Sequence, residues 1–109
     1  MTEKKFKLKP EEIKELTSLS GYSYVSDKIT VEGMQVGFMY REKPFDKDDS
    51  GWRFLSGTET EEYLDDTNNS MIFDVNTVAN YDQAIIPYLK SRVGSELERV
   101  EGGDDFQEI

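Results

Sequence analysis

Carboxylates are the side chains of this sequence whose types and spacing come nearest to chemistry. In the run Asp46–Gly57, DKDDSGWRFLSG, the pattern Asp46-x-Asp48-x-Ser50-Gly51 fits the first six positions of an EF-hand calcium loop. The twelfth position is Gly57, where such a loop needs a bidentate Glu. Without it the run reads as a solvated loop whose Asp side chains cap its own amides. A second acidic group is Glu59, Glu61, Glu62, Asp65 and Asp66. On a helix Glu61 would share a face with Asp65, and Glu62 with Asp66. A metal-dependent enzyme built on Asp46–Asp49 or on Glu59–Asp66 is one reading. Against it, no apolar pocket is apparent nearby to raise a carboxyl pKa, and no cationic cluster completes a mechanism. A solvated acidic helix is the reading adopted, with no metal site and no cofactor.

The sequence contains no His and no Cys. That removes the usual general base near neutral pH, the commonest zinc ligands, and the familiar nucleophilic triads. There is no phosphate-binding loop and no GxGxxG. No catalytic residue is assigned, and a non-catalytic binding protein is expected. Lys4, Lys5, Phe6, Lys7 and Lys9 form a short terminal basic patch, too small to argue for nucleic acid. No leader-like apolar segment and no membrane-length run is visible, so a cytoplasmic protein with no membrane partner is expected.

The net charge of −10 is unevenly placed. Residues 1–56 carry ten acidic and ten basic side chains, whereas residues 57–109 carry thirteen acidic and three basic ones. A surface of that sign attracts a basic partner and repels nucleic acid and anionic lipid, the alternative being that it serves solubility alone. The sole tryptophan, Trp52, lies beside Arg53, and Trp, Tyr and Arg dominate binding hot spots. Trp52, Arg53, Tyr63, Asp65 and Asp66 are therefore the expected partner contacts.

The elements that must position these residues follow from pattern. At 109 residues the chain is expected to form one domain over 10–109 behind a flexible segment 1–9. Pro10 with Glu11 and Glu12 opens an expected helix to Ser20, with Ile13, Leu16 and Leu19 as its apolar stripe. Tyr22–Ser26 reads as a strand. Ile29–Val31 and Met34–Arg41 read as a hairpin about Glu32-Gly33. Gly37 marks a bulge or a close backbone approach. Trp52–Ser56 alternates with period two, Trp52 and Phe54 on one face, Arg53 and Leu55 on the other, and should pair with 34–41. Arg53 is expected to pair with an acidic residue of a neighbouring element. Thr58 and Glu61 suggest a capping box for a helix over 59–64. Met71–Asp74 reads as a strand, Asn76 as the cap of a short helical turn, and Asp82 as the cap of a helix to Lys90 interrupted by Pro87. Ser95–Val100 and Asp105–Glu108 read as a final hairpin. The sum is an α+β domain: a twisted, mostly antiparallel sheet of five to six short strands with helices packed on one face.

The pieces DSGWRF at 49–54, NT at 76–77 and ANYD at 79–82, with YVSDKITVEGMQVGFMYRE, EEYLDD, IIPYL and GSELER, carry a family resemblance. From about Tyr24 to Arg99 the chain resembles a family of short bacterial proteins grouped with the immunity proteins of polymorphic toxin systems, immunity protein family thirty-three. The patterned positions present here include Asp27, Gly37, Tyr40, Arg41, Asp49, Gly51, Trp52, Gly57, Asp74, Asn76, Asn80, Tyr81, Pro87 and Gly94. The resemblance implies the role of an antitoxin with a cognate toxin as protein partner; that the toxin is a basic domain, neutralised by occlusion, is the expectation set by the acidic C-terminal half. The resemblance implies no mechanism and no catalytic residue. A stand-alone accessory or regulatory domain with an uncharacterised ligand is the alternative.

Overall fold

The computed structural model describes residues 4–109. Among them, six strands form one sheet in the order β4-β1-β3-β2-β5-β6. The strands are β1 (Tyr22–Ser26), β2 (Phe38–Arg41), β3 (Asp49–Leu55), β4 (Ser70–Asp74), β5 (Glu96–Arg99) and β6 (Phe106–Glu108). Three short helices are α1 (Asp27–Thr30), α2 (Glu61–Asp65) and α3 (Val75–Tyr81). A 3-10 helix spans Gln83–Tyr88, and shorter 3-10 turns span Pro10–Glu12 and Thr67–Asn69. The fold is α+β, as the pattern indicated. The sheet is mixed, because β1 runs parallel to β3 while the other pairings are antiparallel.

The expected pairing of 34–41 with 52–56 is present over Phe38↔Leu55 to Arg41↔Trp52. Residues directly opposite share a face, so one face carries Val25, Phe54, Met39 and Leu97 in a row. Trp52 lies on that face, with its ring stacked 5.9 Å from Phe54. Val75, Val78 and Ala79 of α3, with Ile85 and Leu89 beyond it, close over this row as a single core. Full burial of Trp52 and Phe54 stabilises the fold by about 2–3 kcal/mol each. The indole N–H of Trp52 donates to the Leu89 carbonyl at 3.0 Å, so the buried ring leaves no polar atom unpaired.

Several local expectations give way to tertiary contacts. The expected helix over 10–20 is only the Pro10–Glu12 turn, after which the chain runs without regular structure to Ser20. Thr17, Ser18 and Ser20 are weak helix formers, and side chains of α3 bind the irregular backbone instead. The hairpin about Glu32-Gly33 is absent. Ser26 caps a helical turn by accepting from the Lys28 amide at 3.2 Å, and the Gly33 amide closes it on Ile29 O. This turn buries Ile29, which a strand reading had set in an arm. The capping residue of α2 is Thr60, whose hydroxyl accepts from the Tyr63 amide, and not Thr58. Glu59 turns back to bind the amides of Ser56 and Gly57. Burial works to raise its carboxyl pKa, and the hydrogen bonds it accepts, those of Ser56 among them, win and lower it. Asn76 lies inside α3 and does not cap it. Asp82 does cap the next segment, accepting from Ala84 N at 3.1 Å, but Pro87 leaves that segment as a 3-10 helix ending at Tyr88.

Gly37 is a close backbone approach. Its amide donates to Leu55 O and its carbonyl accepts from Arg99, and a Cβ here would meet Ser56 O at 2.0 Å. Replacing Gly37 by Ala is expected to cost about 2–4 kcal/mol through forced separation of β2 from the end of β3. Urea unfolding followed by Trp52 emission measures this, and a loss below about 0.5 kcal/mol would contradict the tight contact.

Candidate functional site

The second face of the sheet carries no helix across its centre. Opposite residues set its rows as Ile72, Tyr24, Arg53, Tyr40 and Glu96, then Leu55, Phe38 and Glu98. The aromatic side chains are half-buried, and the glutamates are exposed. Two neighbouring clefts occupy the face and share Leu55 and Leu64 as walls. The larger, about 770 Å³, includes Phe38, Glu59, Glu98 and Arg99. The smaller, about 380 Å³, includes Tyr24, Tyr40, Glu42, Phe45 and Arg53. Leu64 comes from α2, which therefore stands at the margin of this face, and it is 50% exposed. Phe45, from the β2–β3 loop, is 72% exposed.

Arg53 organises the centre. Its guanidinium forms a fork with Asp49, Nη1 to Oδ1 at 3.0 Å and Nη2 to Oδ2 at 2.9 Å. Nε donates to Glu42 at 2.7 Å. The planar group lies 4.5 Å from the Tyr24 ring centroid and 5.4 Å from that of Phe45. Asp49 also accepts from the amides of Phe45 and Gly51, at 2.9 and 2.8 Å. These contacts exist because β3 bulges. In a regular strand residues four apart lie about 13 Å from each other. Opposite the step from Tyr22 to Tyr24, β3 advances from Asp49 to Arg53, so two extra residues are taken up. Gly51 absorbs the bulge at φ 86°, a conformation that favours glycine. Ser50 donates to Tyr22 O at 2.6 Å and accepts from the Trp52 amide at 3.1 Å, fixing the same bulge.

The Arg53 hydrogen bonds hold the Asp49 carboxyl well below the usual carboxylate range, against burial that would raise it. Burial pulls Arg53 down, but Asp49 and Glu42 outweigh it and leave its pKa raised. On the aromatic floor, burial, then the nearby Glu42, raises the Tyr40 hydroxyl. At α2, burial raises Tyr63, with Asp27 adding to it. Both tyrosines are thus neutral hydrogen-bonding groups at neutral pH. The site offers shape, aromatic surface and negative charge. Among the described residues no three acidic side chains gather to hold a metal ion. Asp46 of the EF-hand-like run accepts from the amides of Asp48 and Asp49, at 2.9 and 3.1 Å, as a loop that caps itself.

The five residues expected as partner contacts divide. Trp52 is 0% exposed on the core face, and Arg53 is 3% exposed beneath Tyr24 and Phe45. Tyr63 is half-buried on α2, with Lys28 Nζ 5.1 Å from its ring centroid, and Asp65 and Asp66 are exposed at the end of that helix. Arg53 has the acidic partners its position suggested, one of them on its own strand. Phe45 and Leu64 carried no sequence signal, since each is a lone apolar residue in a polar stretch.

A protein-family model described as Immunity protein Imm33 domain matches residues 23–109. The chain belongs to this family. An Imm33 domain implies in general a toxin protein as partner, and immunity proteins are in general non-catalytic. No curated protein and no solved structure matches the chain. No helix among the described residues is long and apolar enough to cross a membrane.

The Asp49–Arg53 pair makes a pH-dependent contribution to stability. A folded pKa below the unfolded value of about 3.9 means the unfolded chain binds the proton first, so this stability is present above about pH 4 and is lost as pH falls further. Asp49→Asn is expected to remove about 3–5 kcal/mol at pH 7, because it leaves a buried guanidinium short of its partner. The variant should also show a flatter fall in stability between about pH 5 and 2 than the wild-type chain, measured by denaturant midpoints across that range. Equal slopes would show that the pair does not supply the dependence.

Proposed function

We propose that the chain neutralises a bacterial toxin by non-catalytic occlusion, presenting the open face of its sheet and the adjoining α2 to a basic surface of the toxin. The observation that supports this most is the asymmetry of the sheet. One face is closed by α3 and the helix after it, whereas the other keeps an aromatic floor ringed by Glu42, Glu59, Glu96 and Glu98. An apolar centre within a charged rim is the anatomy of a protein interface. The excess of thirteen acidic over three basic side chains in residues 57–109 favours fast capture of a basic partner. Tyr63, Asp65 and Asp66 touch the partner directly. Trp52 and Arg53 act from beneath, by holding β3 and the rings of Tyr24 and Phe45 in place. The toxin partner, the occlusion mechanism and a cytoplasmic site of action form one reading. A carboxylate surface on a cytoplasmic antitoxin would meet the toxin before the toxin meets its substrate.

Co-expression with a candidate toxin domain from the neighbourhood of the gene tests the reading, and the lack of any such neighbour would count against it. Growth should be rescued by the wild-type chain, and failure of rescue would sink the proposal. With the purified pair, Asp65→Lys together with Asp66→Lys should weaken binding about tenfold or more, chiefly through slower association. Asp65→Lys alone should keep the unfolding midpoint, since Asp65 is exposed, whereas Asp66 also caps the Thr67–Asn69 turn by accepting from the Asn68 amide at 2.9 Å. Association that is unchanged between about 50 and 500 mM salt would exclude the electrostatic part.

A further inference from the structure

Among the described residues, 14–20 make no backbone–backbone hydrogen bond to the rest of the chain. They are held by two side chains one turn apart on α3. Asn76 accepts from the amides of Leu16 and Thr17, at 2.7 and 3.2 Å, and donates to Lys14 O at 2.8 Å. Asn80 accepts from the Lys14 amide at 2.9 Å and donates to the same carbonyl at 2.8 Å. The two amides thus replace the ladder that a neighbouring strand would supply. Leu16 and Leu19 pack on the core, while Lys14, Glu15 and Ser18 are exposed. A cleft of about 240 Å³ opens beside the segment, between Leu19 and Asn76.

We propose that the outer side of α3 is a peptide-binding site. Its ligand class is an irregular segment with a bend like that at Ser18, read through its backbone by Asn76 and Asn80, with two leucine-like side chains three residues apart as anchors. Residues 14–19 are its resident ligand in cis. The inference is independent of how a toxin is met, because it concerns the side of the domain that carries α3. Backbone reading makes the site tolerant of the outward side chains. The leucines supply selectivity by burial.

The full chain carrying a specific protease sequence inserted after Ser20 tests this. After cleavage of the folded protein, the segment should stay bound at high concentration and exchange with a labelled peptide of residues 8–20. A peptide with the charges of Lys14 and Glu15 reversed should bind within about threefold of the parent, and Leu16→Ala with Leu19→Ala should weaken binding about tenfold or more. Asn76→Ala with Asn80→Ala in the cleaved protein should weaken it at least as much, by about the loss of several hydrogen bonds. Trp52 emission and circular dichroism report whether the domain stays folded. Unfolding on cleavage would overturn the proposal, since the segment would then be part of the folding unit. Absence of exchange, or equal binding by the asparagine variant, would overturn it as well.

Discussion

A carboxylate and a guanidinium four residues apart in one strand cannot normally meet. Asp49 and Arg53 do so because β3 takes up two extra residues between them, and much of the structure depends on that bulge. It sets the register of β3 against β1, the one parallel pairing in the sheet. It turns Trp52 to the core while Arg53 points to the open face. The other side of the bulge is held as firmly. Arg41 donates to Ser50 O at 2.9 Å and lies 5.6 Å from the Trp52 ring centroid. A buried ion pair is costly to desolvate and returns little net stability, so its value lies in specifying one arrangement. Here the arrangement specified is an irregular strand at the centre of the sheet.

The opposite end of the sheet has a clamp of similar chemistry. Asp82 pairs with Arg99 and also accepts from the Val36 amide at 2.9 Å, while its other oxygen caps the following 3-10 helix. Arg99 donates to Val36 O at 2.8 Å and lies 5.0 Å from the Phe106 ring centroid. Two arginines, Arg53 and Arg99, thus tie irregular backbone to carboxylates. Most cationic groups elsewhere lie before residue 57, so the exposed acidic residues after it, apart from Asp104 which pairs with Arg99, set the field of the surface. That division joins the packing to the proposed role. Buried cations are spent on structure, and the uncompensated charge faces outward beside an aromatic floor.

The strands were readable where alternation was clear. Trp52 to Leu55 alternates with period two, and the two faces it names are the ones found. Gly37 and Asp82 were also readable, since close approach and capping each demand a particular residue. Failures cluster where long-range partners override local preference. Ile13, Leu16 and Leu19 have helical spacing, yet Asn76 and Asn80, some sixty residues away in sequence, hold that stretch in an irregular path. Ile29 to Val31 is β-prone, yet Ser26 and Gly33 close a helical turn that delivers Ile29 to the core. Residue type made Trp52 and Arg53 natural surface contacts, and burial assigns them to the interior.

By itself the sequence determined the absence of histidine and thiol chemistry, the one-sided distribution of charge, the α+β class and the two faces of β3. Each of these is a property of composition or of local periodicity. Only the tertiary structure decided that β1 lies parallel to β3, that one sheet face is left open, and that Asp49 is the partner of Arg53. Those outcomes rest on pairings between segments far apart in the chain and on a bulge whose geometry no period reveals. The physical reason is that alternation says which side chains share a face, whereas the face that becomes buried is settled by what packs against it.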